Sequence, residues 1–502
     1  MVYCGKPSRA CEQCKQRKTK VRKSLVKRLQ TPWILIALKC SLKSNCRPCI
    51  KAGLICPGPR DPDELVFRDE SLVTIQKEIT RRRPKNLEIS IDDRARGSFI
   101  SHYVVGNSRA FDYIPPLLAR VNIENHLAAS LMAVSLAHYF SQTHFPDILH
   151  RARQSYINAL RLINEALQSS KLATQDATML AVLLLDLFEK ITRTAPRSLE
   201  SWTKHINGAL TLAKLRGTGQ FRGTVGIRMF VQLSSTILIS CVQRDVEAPP
   251  ELLELRGVAG QYFDTHDPKW KYSTLVIRFI GFRVAIRNGR LSLSEVIALA
   301  KTIDEEFQAI LDNMPPVWKY DTISSSGLTD SDDIFEDYFH VFPDHRITHI
   351  WNNIRLSRIL LHETIREHLQ KDRSASPSNS HLEIQRSKNI IASLSTDICA
   401  SVPQYTRVRC INKNNPTLLN GVHPVLSFET AKCYSLIFAL YIAARSTASP
   451  EKLRRWVIER LRFLSSAMGI VEAHKTAEVL EGSPGVNPWA VYAMLGSYSF
   501  SA

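Results

Sequence analysis

The chain has 502 residues, 44% hydrophobic and 23% charged, which is too long for one small module and too apolar to be unfolded throughout. Two or three domains, mostly globular and soluble, are expected. Residues 1–60 hold 15 Lys or Arg against one acid, Glu12, so this end carries +14 of the formal +19 and points to a polyanion partner, either nucleic acid or an acidic membrane surface.

The first residues, "MVYCGKPSRACEQCKQRK", lack the apolar stretch of a secretory signal. No run approaches the roughly 18 apolar residues of a membrane span, so no membrane partner is expected. Seven of the 11 cysteines fall at positions 4, 11, 14, 40, 46, 49 and 56. In a reducing, intracellular compartment, clustered cysteines bind metal more often than they form disulfides. Cys241 and Cys433 stand in apolar surroundings and read as small core residues. Cys4 lies outside the spacing pattern.

The second half of the cluster is Cys46-x2-Cys49-x6-Cys56, and the first half opens Cys11-x2-Cys14. A matched half would place a cysteine at 21, but position 21 is Val and the next cysteine is Cys40. Without the 19 residues Val21–Lys39 the halves match. All Val codons begin GT and one Lys codon ends AG, the expected boundaries of an intron read in frame. A genuine loop insertion is the alternative. The longer loop costs about 1 kcal/mol of closure entropy, against about 10–16 kcal/mol for structural zinc binding. Entropy alone therefore leaves the site intact.

These residues resemble the fungal binuclear zinc-cluster family of transcription factors. The resemblance implies two zinc ions held by Cys11, Cys14, Cys40, Cys46, Cys49 and Cys56, with Cys11 and Cys46 bridging. Cys14 and Cys40 would complete one tetrahedron, and Cys49 and Cys56 the other. Thiolates are soft, charged ligands, and four of them close a structural zinc site. Between Cys14 and Val21, "KQRKTK" offers four cations: Lys15, Arg17, Lys18 and Lys20. On a short helix Lys15 and Lys18 share a face, and such a helix can enter the major groove of double-stranded DNA. The resemblance makes Lys18 the base reader, in a CGG-like triplet, with the other three holding phosphates. The tail "CPGPRDPDELVFRDES" (56–71) is also family-like.

Residues 61–94 read as a linker, with "RRRPK" (81–85) as a nuclear import signal or a further phosphate contact. No sustained heptad runs through 70–83, so a homodimer has no coiled-coil support there. From 95 to 502 the apolar spacing predicts helices at 126–142, 148–168, 176–192, 200–216, 225–243, 270–287, 291–313, 346–370, 426–446 and 451–474. The fold class is thus a small zinc-stabilised module in 1–60 followed by a large all-α domain. That domain resembles the fungal-specific transcription factor regulatory domain, through "FISHYV" (99–104), "DATMLAVLLLDLFEKIT" and "SWTKHINGALTLAKLRGTGQF", over most of 95–260. Gly217 and Gly219 fail the dinucleotide pattern and are expected to end a helix. His205 reads as a locally paired helix residue.

The acidic stretch Asp321–Asp344, with Phe335, Tyr338, Phe339 and Phe342, reads as an exposed loop or an activation segment for coactivators. Residues 371–381 read as a flexible linker. No G-x-S-x-G, P-loop or H-E-x-x-H is present, because position 366 is Arg in "HETIREH", so no enzyme is expected. The expected function is a nuclear, sequence-specific transcription factor, with coactivators or corepressors of unspecified identity. The alternative is a helical interaction protein whose DNA-binding module is disabled by residues 21–39.

Overall fold

A computed structural model of the chain describes residues 11–14, 45–58, 89–105, 110–119, 124–192, 199–325, 334–371, 377–406, 433–482 and 486–495. The chain divides into two compact units, Met1–Glu88 and Ile89–Ala502. In the first, the described residues include a helical turn at 12–14 and the short helix α1 (Arg47–Ile50).

The second unit is all-α apart from one hairpin, as the sequence predicts. Helix α2 (Ile91–Phe99) begins ahead of the expected start at 95, because the Ser90 hydroxyl caps it by accepting from Asp93 N. It runs on into a π turn at Ile100–Val105. There follow α3 (Asn125–Thr143), α4 (Pro146–Leu167), α5 (Asp176–Ile191), α6 (Leu199–Arg216) and α7 (Thr224–Arg244). Helix α4 carries a polar outer face. Helix α5 is apolar almost all round and buried between α3 and α7. Gly217 ends α6 at φ +60°, a backbone region that favours glycine. Gly226 lets α7 start against the preceding 3-10 turn, since a Cβ there would lie 2.0 Å from the Gln220 carbonyl oxygen.

Next come α8 (Pro250–Ala259), α9 (Pro268–Arg287) and α10 (Leu293–Asp312). The capping box of α10 is complete: Ser292 Oγ accepts from Glu295 N at 3.3 Å, and Glu295 Oε2 accepts from Ser292 N at 2.8 Å. Strands β1 (Asp321–Ser324) and β2 (Tyr338–Val341) pair antiparallel, Asp321 opposite Val341. The chain then continues through α11 (His345–Lys371), α12 (Pro377–Ala400), α13 (Leu436–Arg445), α14 (Glu451–Met468), α15 (Val471–Gly482) and α16 (Pro488–Leu495).

The apolar interior has three main parts. Phe99, Leu127, Met179 and Phe230 belong to the first, between α2 and α9. Ile359, Ile391, Tyr441 and Val457 belong to the second, between α11 and α16. Phe279, Phe307, Phe342 and Ile354 belong to the third, around α9, α10 and α11. Trp489 of α16 packs against all three.

Four expectations change. The described parts of the acidic stretch, 321–325 and 334–344, do not display its phenylalanines. Phe335, Phe339 and Phe342 are buried, and the hairpin carries them into the core. Helix α12 takes residues 377–381 of the expected linker at 371–381, residues 372–376 lying outside the described residues. The predicted helix 451–474 breaks at Gly469, φ +69°, into α14 and α15. Helix α7 is long and apolar enough to cross a membrane by length and composition, against the expectation that no segment would be. Met229, Phe230, Leu233 and Ile237 of that helix are buried in the first core.

Candidate metal centre and nucleic-acid interface

Both C-x2-C pairs sit on single helical turns. Residues 12–14 are helical, and Cys46 caps α1, its carbonyl accepting from Cys49 N at 2.9 Å and Ile50 N at 3.1 Å. A spacing of three on a helical turn puts both sulfurs on one side. Asn45 (φ +61°) turns the chain into the second pair, and Gly53 (φ +63°) turns it out, with Leu54 N donating to the Cys49 carbonyl at 3.0 Å.

The two pairs face each other. Cys11 Sγ lies 3.8 Å from Cys46 Sγ and 3.7 Å from Cys49 Sγ. Cys14 Sγ lies 3.6 Å from Cys46 Sγ and 3.9 Å from Cys49 Sγ. All four sulfurs are within 4.8 Å of one another and buried. Sulfurs placed tetrahedrally at about 2.3 Å from a zinc ion are separated by about 3.8 Å. The donor set therefore has both the chemistry and the size of a closed zinc site.

Burial, followed by the neighbouring sulfurs, raises the Cys11 thiol above its usual range and pushes Cys46 up to about 12. A bound divalent cation reverses that preference, because a coordinating thiol is deprotonated. Cys56 packs against the four, partly buried, and backbone hydrogen bonds from Cys46 and Gly58 lower it to about 6.

Of the sequence-predicted residues, Cys11, Cys14, Cys46 and Cys49 come together, with Cys56 beside them. Cys40, the cations Lys15, Arg17, Lys18 and Lys20, and the segment 21–39 lie outside the described residues. In the two-ion arrangement Cys14 and Cys49 hold different ions; here their sulfurs form an edge of one tetrahedron. The sequence reading passed over Arg47 and Lys51, exposed on α1 and its C-cap at the edge of the sulfurs. The pseudo-repeat did not signal them, since it sets Arg47 opposite Glu12 and Lys51 opposite Gln16.

In the helical unit the tempting histidines are structural. His205 Nδ1 is 3.9 Å from Glu189 Oε1 on α5, a partner on another helix. His362 Nε2 lies 3.2 Å from Asp304 Oδ2, and Asp304 also accepts from Arg358 Nε at 2.6 Å. This buried cluster joins α10 to α11, and Ser387 of α12 meets His362 Nδ1 at 3.1 Å. Cys241, Cys399 and Cys433 are buried among apolar neighbours.

The family model of the fungal specific transcription factor domain matches residues 105–241, from the end of the π turn to Cys241 in α7. The match lies inside the 95–260 region where the sequence shows its resemblance. No curated protein and no solved structure matches the chain. The segment is thus similar to a transcription factor domain, which suggests a transcription regulator rather than an enzyme.

Proposed function

We propose that this protein is a nuclear, zinc-dependent transcription regulator that binds double-stranded DNA through its N-terminal module. Two zinc ions are assigned to Cys11, Cys14, Cys40, Cys46, Cys49 and Cys56. Lys18 reads a CGG-like triplet, and Lys15, Arg17 and Lys20 hold phosphates. The observation that carries this reading is the buried sulfur tetrahedron of zinc dimensions, inside the most basic part of the chain. The transcription-factor match at 105–241 supports it from the other unit. Zinc, when bound, supplies a fixed charge and four-fold cross-link. The chain's own part is to hold the basic run beside that cross-link, where cations can reach base edges and the DNA backbone. Exposed Arg47 and Lys51 add two further phosphate contacts.

Fluorescence anisotropy of the zinc-loaded full chain on a CGG-containing duplex tests the reading. With about six phosphate contacts, affinity falls about 1,000-fold between about 50 and about 200 mM salt. Lys18→Ala should relax the preference for CGG by about 1–3 kcal/mol while zinc content is unchanged. Binding that ignores salt and sequence would sink the proposal.

A further inference from the structure

The helical unit holds a cavity of about 580 Å³ where α7, α9, α11, α13 and α16 meet. That size suits a small organic molecule. Its apolar wall includes Trp270, Phe279, Phe438 and Trp489.

Its charged wall is unbalanced. Arg228 and Arg346 are each supplied with carboxylates: Arg228 meets Asp112 at 2.6 Å, and Arg346 meets Asp344 at 3.2 Å and Asp112 at 3.7 Å. Asp267 is engaged as the cap of α9, accepting from Lys269 N at 2.8 Å and Trp270 N at 3.3 Å. Two cations remain. Arg256 donates only to hydroxyls, of Ser234 (3.0 Å), Ser273 (2.9 Å) and Thr274 (3.1 Å), and stacks 4.2 Å from the Trp270 ring centroid. Lys269 Nζ has no carboxylate within ion-pair distance among the described residues, although the residue is half-buried. Desolvation, and then Arg346, lower its pKa. An ammonium beside a part-apolar cavity and two guanidinium groups, with Asp267 and Asp344 acting on it only from beyond ion-pair distance, is incompletely compensated in the free protein. A bound anion completes the compensation.

We propose that this cavity is a binding site for a small amphipathic anion, a carboxylate carried on an aromatic or aliphatic body. Lys269 pairs with the carboxylate between Arg228 and Arg346, and the body lies against Trp270, Phe438 and Trp489. Because Trp489 packs against all three cores, occupancy ties the two halves of the helical unit together. The inference does not depend on DNA or zinc binding.

The test is thermal unfolding and calorimetric titration of the full chain with two acids, indole-3-acetate and hexanoate, each against its neutral amide. A saturable rise in melting temperature is expected with at least one acid and not with its amide. Lys269→Met should weaken the acid about tenfold or more, and Lys269→Arg should largely restore it. The ligand-free Lys269→Met chain should melt at or above the parent's temperature, since an incompletely compensated charge is removed. Equal binding of acid and amide, undiminished acid binding by Lys269→Met, or no saturable binding of either acid at millimolar concentration overturns the proposal. So does a ligand-free Lys269→Met chain that melts well below the parent, because Lys269 is then structural.

Discussion

The two units hold themselves together by different chemistry. In the helical unit the interior is a continuous set of buried Leu, Ile, Phe and Ala side chains, and polar clusters such as Asp304–Arg358–His362 stitch helices across it. In the N-terminal unit the described interior is sulfur: Cys11, Cys14, Cys46 and Cys49 are buried, while Ile50 is 62% and Ile55 92% exposed. Among the described residues of that unit, the isoleucines stand in water and no apolar core backs the sulfurs. The proposed zinc would supply the cross-link instead. The lesson is one of failure modes: the first unit should be all-or-none in metal, and the second graded in packing.

The sharpest way to break that contrast is to remove zinc. Chelation should abolish hydrogen-exchange protection around Cys46–Leu54, a loss on the order of 10 kcal/mol of metal-linked folding energy, and leave α3 to α7 protected. Loss of protection in both units together would erase the distinction.

Within the helical unit, Asp304→Ala should be next in size. It leaves Arg358 buried without its carboxylate, at a cost of about 3–5 kcal/mol in denaturant unfolding. Burial alone would raise the Asp304 pKa, but hydrogen bonds from His362 and Arg358 hold it below the usual carboxylate value. Its contribution is therefore present above the unfolded pKa and lost as pH falls through the lower folded value.

A milder pH effect belongs to His102 and His138, whose rings stack 4.9 Å apart in the first core. Burial lowers them to about 4 and about 3, with His102 adding to the shift of His138. Both folded values lie below the ordinary 6.5, so the unfolded chain takes up protons first. Stability is full above about 6.5 and declines toward about 4. Urea midpoints should fall between about pH 7 and about pH 5, and His102→Phe with His138→Phe should flatten part of that slope. Buried His126 and His340 and half-buried His349, all lowered first by desolvation, share the remainder. An unchanged slope would remove the pair from the account.

The smallest effect is at a helix end: Ser292→Ala should cost about 1 kcal/mol through the α10 capping box, with no change in zinc content.

The long helices were legible because each buries a broad stripe or its whole circumference, as in "DATMLAVLLLDLFEKI". Three kinds of feature were harder. Helix α8, absent from the expected helices, begins at Pro250 with Pro249 as its N-cap, since proline fits the first helical turn. The strand β2 was hidden because exposed Glu336 and Asp337 precede it and its own Phe339, His340 and Val341 are buried in succession, without the alternation that marks a strand in sequence. Helix α12 starts in a Ser- and Asn-rich segment whose helix is settled by packing against α11. At the candidate site, the C-x2-C pairs announced the sulfurs. The edge between Cys14 and Cys49 was not legible, since spacing names ligands without saying which of them meet.

The most direct measurement is zinc per chain by native mass spectrometry on the full protein and on Cys14→Ser, with a version lacking Val21–Lys39 as control. Two ions in the parent and fewer in Cys14→Ser are predicted. One ion would assign zinc to the four-sulfur site alone and contradict the two-ion count. A parent chain that binds no zinc, while the version lacking Val21–Lys39 binds two, would mark that segment as what disables the module. No zinc in either would contradict the metal centre itself.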